Sequence, residues 1–418
     1  MRIIPRLVQS TTDTLIPRLR RLDPYYRDHF DRLARGPLQA FTQGLIRLRQ
    51  RPTGLGLTEE RPMEDEAALI DDITDLMNRF LEREYGDTGE TAERAGNTKT
   101  YGLVRGVFRV NDYLAPHLRT PLFQPGERYL AYARFGGPGP RVVPDIEDNG
   151  ILSIGLKLMG VPGPKLLDDE RHTVDFSGIS APTFTTPDLQ ENVKLQQQVG
   201  LGTPAWYFLN PFDSHYLDMV MQGLYARAHA NPLHLAYHSC VPYLYDNGDG
   251  RPRAIKYALL PRRQTHTRAG PFTPNYLRDA MRETLAQEPV SFDFAIQFQT
   301  DPRAMPIENA AIVWSTRDSP LVRVARLDLH MQRFDYPAQD AFARNLTINP
   351  WHTIAEHRPL GNQNRARRAI YYATSRTRQA INGEQHIEPT GHERFDLAGE
   401  PDSDNAPESS EETAHEPV

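Results

Sequence analysis

The sequence predicts an α+β fold in which an antiparallel β-sheet or barrel is surrounded by segregated helices, with a helical arm before it and an acidic tail after it. Three observations carry that reading. Beyond residue 100 the chain runs through short stretches rich in β-branched and aromatic residues, separated by turn clusters. Apolar residues at helical spacing are confined to a few segments before, between and after those stretches. At 418 residues and 39% apolar composition the chain can bury a large core, yet it holds no apolar run near the ~18 residues of a membrane span.

Residues 1–58 form the arm. It is rich in Leu and Arg, including Arg18, Arg20, Arg21, Arg27, Arg32 and Arg35, contains no Lys, and is broken by Pro5, Pro17, Pro24 and Pro37, which predicts short helices. Such a basic amphipathic arm packs across its own barrel, or touches a membrane surface or another subunit. Residues 59–382 form the main domain. Leu69, Ile70, Ile73, Leu76, Met77, Phe80 and Leu81 recur at spacings of 3 and 4, which predicts a helix over Met63–Tyr85. Strand-like runs follow at Leu103–Val110, Tyr129–Phe135, Ile151–Leu158, Leu233–Leu244, Ala254–Leu260, Phe292–Gln299 and Leu321–Leu329, and the turn Asp246–Gly250 joins two of them as a hairpin. Helices are predicted at Pro211–Ala230, Asn275–Ala286 and Arg365–Asn382. Residues 383–418 are Glu, Asp, Pro and Ser with few apolar side chains, a composition expected to stay disordered.

The net charge of −6 is unevenly spread, because residues 384–418 carry eleven Asp or Glu against Arg394 alone, a net of −10 that leaves the body near +4. That excess is too small and scattered for nucleic-acid binding but suits an anionic cofactor or substrate. The single Cys240 excludes an internal disulfide or a thiolate metal cluster and reads as a buried structural thiol. No secretion signal is recognisable, so a cytoplasmic protein is expected. His234 and His238 fall in strand-like surroundings, too far apart for one metal. The prolines in Gly136–Pro140 remove the amide donors that a phosphate cradle needs, leaving a turn.

The segment Asn364–Arg378 carries the strongest local feature. At 100° per residue Arg367, Tyr371 and Arg378 lie within about 40° on one helix face. Guanidiniums beside a phenol favour its phenolate, a hard ligand suited to ferric iron. A tyrosine in a core helix with arginines facing solvent gives the same pattern.

Wider context separates the two. Arg94-Ala95-Gly96-Asn97-Thr98-Lys99-Thr100-Tyr101-Gly102 leading to Gly106–Val110, Tyr132–Phe135, Thr173–Phe184 and Asn349–Arg378, in that order, resemble the haem-dependent catalase superfamily, especially its bacterial catalase-related branch. With Asn231-Pro232-Leu233, Lys256-Tyr257 and Phe292–Pro302 the resemblance spans about residues 60–382. It implies a catalase-like barrel binding haem b, with Tyr371 as axial ligand of the iron and Arg367 four residues before it. It further implies that Arg94, Arg134 and Arg378 hold the propionates, a task for which bidentate Arg is suited. The arm and the family both point to intersubunit contacts, hence a homo-oligomer.

The departures bear on the reaction. In the family a distal histidine moves a proton between the two peroxide oxygens, and here that position reads Asn97, whose amide accepts no proton. The assisting distal Asn, taken two residues before Pro182, reads Ser180. A one-residue adjustment is needed between Asn97 and Phe108, so Thr98 or Tyr101 is the alternative over the iron. The resemblance thus implies an oxidoreductase acting on organic or lipid hydroperoxides more than on hydrogen peroxide, with a haem carrier or sensor, or a true catalase with an unusual distal side, as alternatives.

Overall fold

The computed structural model of the chain describes residues 3–396 apart from 51, 149 and 264–268. The arm folds into α1 (Ile3–Arg20), α2 (Asp23–Leu33) and α3 (Arg35–Arg49), and α4 (Glu66–Tyr85) follows. Nine strands come next: β1 (Thr100–Val110), β2 (Arg128–Gly136), β3 (Ser153–Met159), β4 (Thr173–Ile179), β5 (Tyr237–His238), β6 (Tyr243–Tyr245), β7 (Arg253–Pro261), β8 (Val290–Phe298) and β9 (Val322–Leu329). Their order is β5-β4-β3-β2-β1-β9-β8-β7-β6, all antiparallel, and β5 also pairs with β7, so eight strands close into a barrel with β6 appended. Between β4 and β5 the chain forms α5 (Leu189–Gly200), α6 (Pro204–Leu209) and α7 (Tyr216–Tyr225); α8 (Tyr276–Gln287) precedes β8, and α9 (Pro337–Asn345) and α10 (Asn362–Asn382) complete the domain.

Alternation along the strands decides what fills the barrel and what faces the helices. Inside, Phe108, Phe176 and Phe294 meet edge-on or offset, with Phe108 and Phe294 5.2 Å apart and Phe176 and Phe294 5.0 Å apart. Outside, β2, β3 and β4 present Arg134, Gly155, Lys157, Asp175 and Ser177. A Cβ at Gly155 would meet Ile348 at 2.4 Å, so glycine there lets the segment before α10 lie close to the sheet. Helix α10 stacks on α4 through Ile73, Ala366 and Ile370. It ends at Gly383, whose left-handed φ of 66° lets its N–H reach the carbonyl of Ala380.

Three expectations are corrected. The run Leu233–Leu244 is not one strand. Asn231 caps a 3-10 turn at Pro232–His234, and Cys240 adopts φ 59°, which cuts β5 to two residues. His234 and His238 therefore do not share a strand. The helix expected over Pro211–Ala230 shrinks to α7, because the arm captures its end: Arg27 donates to the carbonyls of Gly223 and Leu224, and Asp23 accepts from the Ala228 N–H. The tail is not loose from residue 383. Glu388 accepts from the N–H groups of Arg171 and His172, Glu393 accepts from the Tyr132 hydroxyl at 2.6 Å, and Phe395 is buried against Tyr132 and Phe342. Residues 397–418 lie outside the described residues.

Candidate functional site

A cavity of about 580 Å3 opens between the outer face of β2–β4 and helices α4, α5 and α10, and Arg94, Asn97, Arg134, Arg367, Tyr371 and Arg378 all line it. That volume lies within the ~300–1,000 Å3 typical of cofactor sites. The fold thus gathers six of the eight site residues named from sequence into one space.

Three of them form a cationic cluster. Arg134 projects outward from β2 and donates to the carbonyls of Asn97 at 2.9 Å and Thr98 at 3.0 Å and to the Thr100 hydroxyl. Arg94 donates to the carbonyls of Ala343 and Leu346, and Arg378 to that of Asn345 at 3.0 Å. Among the described residues no carboxylate forms an ion pair with any of the three, and Nη1 of Arg94 and Nε of Arg378 are buried without a partner. Burial first, then the neighbouring guanidiniums Arg134 and Arg378, hold Arg94 well below the usual arginine range, and burial brings Arg134 and Arg378 each down to about 10. Glu93, paired with Arg344, acts on all three from a distance without contacting them, and buried cations with free donors are costly, so the cluster has room for a further anion.

On α10 the guanidinium of Arg367 stacks between two rings, 5.2 Å from the centroid of Phe184 and 5.8 Å from that of Tyr371, and is fixed by the Asn364 side chain at 3.1 Å. Burial opposes its charge, but the surrounding tyrosines, Tyr371 foremost, hold its pKa up. The Tyr371 side chain is half-buried on the cavity wall. A phenol beside a guanidinium, on the same cavity as three further arginines, fits the donor set of a ferric haem with two carboxylates.

The three residues read as alternatives over the iron take different places. Asn97 lines the cavity with φ 48°, a left-handed conformation that asparagine tolerates better than most residues. Thr98 does not reach the cavity; its hydroxyl donates to the Arg94 carbonyl at 2.7 Å. Tyr101 does not either. The β1–β2 register shifts between Thr100 and Gly102, a bulge at Tyr101, whose ring lies in the barrel core, fully buried, where desolvation drives its pKa far up. Ser180 is also corrected: its hydroxyl accepts from the Leu152 N–H at 3.0 Å, and the cavity wall there is Ser177, Gly178 and Ile179.

Sequence reasoning missed Asp148. Its carboxylate lines the cavity, accepts from the Gly139 N–H at 2.7 Å, and is raised to about 6 by burial, against the pull of that N–H, Arg20 and Lys99. The carbonyls of Pro138 and Gly139 in turn accept from Asn97 and Thr98, so the Gly136–Pro140 turn ties Asp148 to the Asn97 loop. Nothing in the spacing around Asp148 marks it. A second missed cluster lies beside the cavity, where the buried Lys157 ammonium pairs with Glu170 and, at 2.8 Å, with Asp175. His352 sits between Asp175 at 2.8 Å and Asp169 at 3.0 Å, and these two carboxylates outweigh burial and Lys157 to hold it at about 9. Glu170, Asp175 and His352 are close enough to share a metal. The ammonium of Lys157 already occupies their centre, so they form a closed charge network.

No family model and no curated protein sequence matches the chain. Solved structures do. A fungal catalase aligns with TM-score 0.52 at 16% identity, covering 88% of this chain and 79% of its own. A bacterial catalase gives 0.52 at 16%, covering 86% and 75%, and catalase A from Saccharomyces cerevisiae gives 0.55 at 14%, covering 88% and 82%. The closed eight-stranded barrel, its flanking helices and this likeness along most of the chain establish that the protein has the catalase-like fold.

Proposed function

We propose that the chain binds haem b in this cavity through Tyr371 and acts as an oxidoreductase on peroxides, favouring organic or lipid hydroperoxides over fast dismutation of hydrogen peroxide. The cluster of Arg94, Arg134 and Arg378, with no carboxylate in ion-pair contact among the described residues and on the same cavity as Tyr371, carries the reading. These three arginines hold the two propionates, whose charge relieves their mutual repulsion. Tyr371 would supply the oxygen that holds the iron, and the Arg367 charge beside its ring would offset that of a ligating phenolate. Bound haem would supply redox chemistry toward a peroxide.

Asn97 orients a hydroperoxide by amide hydrogen bonds but accepts no proton. The group on the cavity wall able to hold one near neutral pH is Asp148. Ile73, Met77, Ile179, Leu195 and Val199 add apolar wall that suits an alkyl chain. Protein purified from haem-supplemented cultures is expected to show a Soret band that Tyr371→Phe abolishes, and to turn over a fatty-acid hydroperoxide faster than hydrogen peroxide. Protein that takes up no haem contradicts the reading. The missing base at Asn97 favours one second reading, a haem carrier or sensor, which predicts a Soret band with no turnover of either substrate.

A further inference from the structure

We infer that helix α1 and the segments flanking α6 form a docking surface for an anionic lipid membrane, placed where the cavity meets solvent. No residue of α1 is buried, although it lies on the domain and its Gln9 accepts from the Ala205 N–H of α6 at 2.8 Å. Its outward side is mainly apolar, interrupted by Thr11 and Thr14: Ile3 is 82% exposed, Leu7 66%, Leu15 50% and Leu19 48%. With Ile4 these side chains fall within an arc of about 160° at 100° per residue, and Arg18 projects from the same arc. Leu201 and Phe212, on either side of α6, are exposed as well, Phe212 by 94%. Among the described residues no helix is long and apolar enough to cross a membrane, so the contact is interfacial.

Charge selects the occupant. Residues 1–53 hold eleven arginines against four aspartates and no glutamate or lysine, a net of +7. On and just after α1, Arg6, Arg18 and Arg21 are exposed against Asp13 alone, and Asp213 beside Phe212 is paired with Lys194. A second copy docked about a two-fold axis would set this cationic surface against itself. Anionic headgroups neutralise it instead, while the long arginine stems let the leucines reach below them. Position supplies the second argument. Ile16 and Arg20 of α1 line the cavity together with Val199 of α5 and Phe208 of α6, and Ile16 is 42% exposed, so the cavity reaches solvent beside the apolar arc. An amphiphile leaving the bilayer enters there. This surface goes beyond the proposed chemistry, and its binding is independent of haem.

Sedimentation of the full chain, with and without haem, with vesicles of phosphatidylcholine alone and of phosphatidylcholine with phosphatidylglycerol tests it. Binding to the anionic vesicles is expected, weakening with salt and falling at least about tenfold in the exposed double variant Leu7→Glu/Leu15→Glu, since interfacial affinity scales with apolar area. Haem uptake by that variant reports that it is folded. Absence of sedimentation at low salt, or equal binding by the variant, overturns the inference. So does a concentration-dependent dimer that the same variant dissolves without any vesicle binding, because a second copy then covers the surface.

Discussion

Two charged clusters lie side by side on the outer face of the barrel and solve the cost of burial in opposite ways. Around Lys157, every buried charge has an opposite charge in contact: Glu170 and Asp175 on the ammonium, Asp169 and Asp175 on His352, and Arg376 closing on Asp169 at 3.2 Å. Around Arg134, three guanidiniums share only backbone carbonyls and one hydroxyl. The first is complete within the chain and serves the fold. The second has no carboxylate in contact among the described residues, with Glu93 acting on it only from a distance.

The largest expected effect breaks the closed cluster. Lys157→Met leaves Glu170 and Asp175 buried with His352 alone to offset two carboxylates, and unfolding by denaturant is expected to show a loss of about 3–5 kcal/mol. A smaller one comes from pH. His352 has a folded pKa of about 9, above its unfolded value, so its contribution is full below about pH 6.5 and is lost as pH rises through 9, of order 2–3 kcal/mol. A series of denaturation midpoints across pH 6–10 is expected to show that slope in the wild type and lose it in His352→Gln. The open cluster behaves differently. Arg378→Met is expected to change apoprotein stability by under about 1 kcal/mol, because it removes repulsion as well as hydrogen bonds, yet to weaken haem binding by about ten- to a hundredfold. A large loss of apoprotein stability would place Arg378 with the structural cluster. The smallest effect concerns Asp148, whose pKa is raised by folding to about 6, so its charge opposes folding above that pH. Asp148→Asn is expected to stabilise the apoprotein by about 1–2 kcal/mol at pH 8 and by nothing at pH 4, read from the same midpoints.

The two clusters also differ in how far the sequence revealed them. Arg367, Tyr371 and Arg378 share one helix face, so local periodicity placed them together, and the order of motifs added Arg94 and Arg134. The Lys157 network joins residues from β3, β4 and two loops, and no spacing connects them. The distal wall was legible only in part. Asn97 was identified by its distance from Arg94, but a bulge at Tyr101 and the alternation at Ile179 and Ser180 turn on single-residue register, which composition does not encode. Most β runs matched strands within a few residues, whereas Leu233–Leu244 and Pro211–Ala230 failed where Cys240 and the arm residues Asp23 and Arg27 redirect the backbone.

On this reading Arg94, Arg134 and Arg378 hold the carboxylates of a ligand that shares the cavity with Tyr371. Absorbance titration of the apoprotein with haem and with haem whose propionates are methyl esters tests it most directly. The account predicts a Soret band for both but at least about a hundredfold weaker binding of the ester, the loss of two charge-assisted contacts. Equal affinity for the two, or binding of neither, would contradict it.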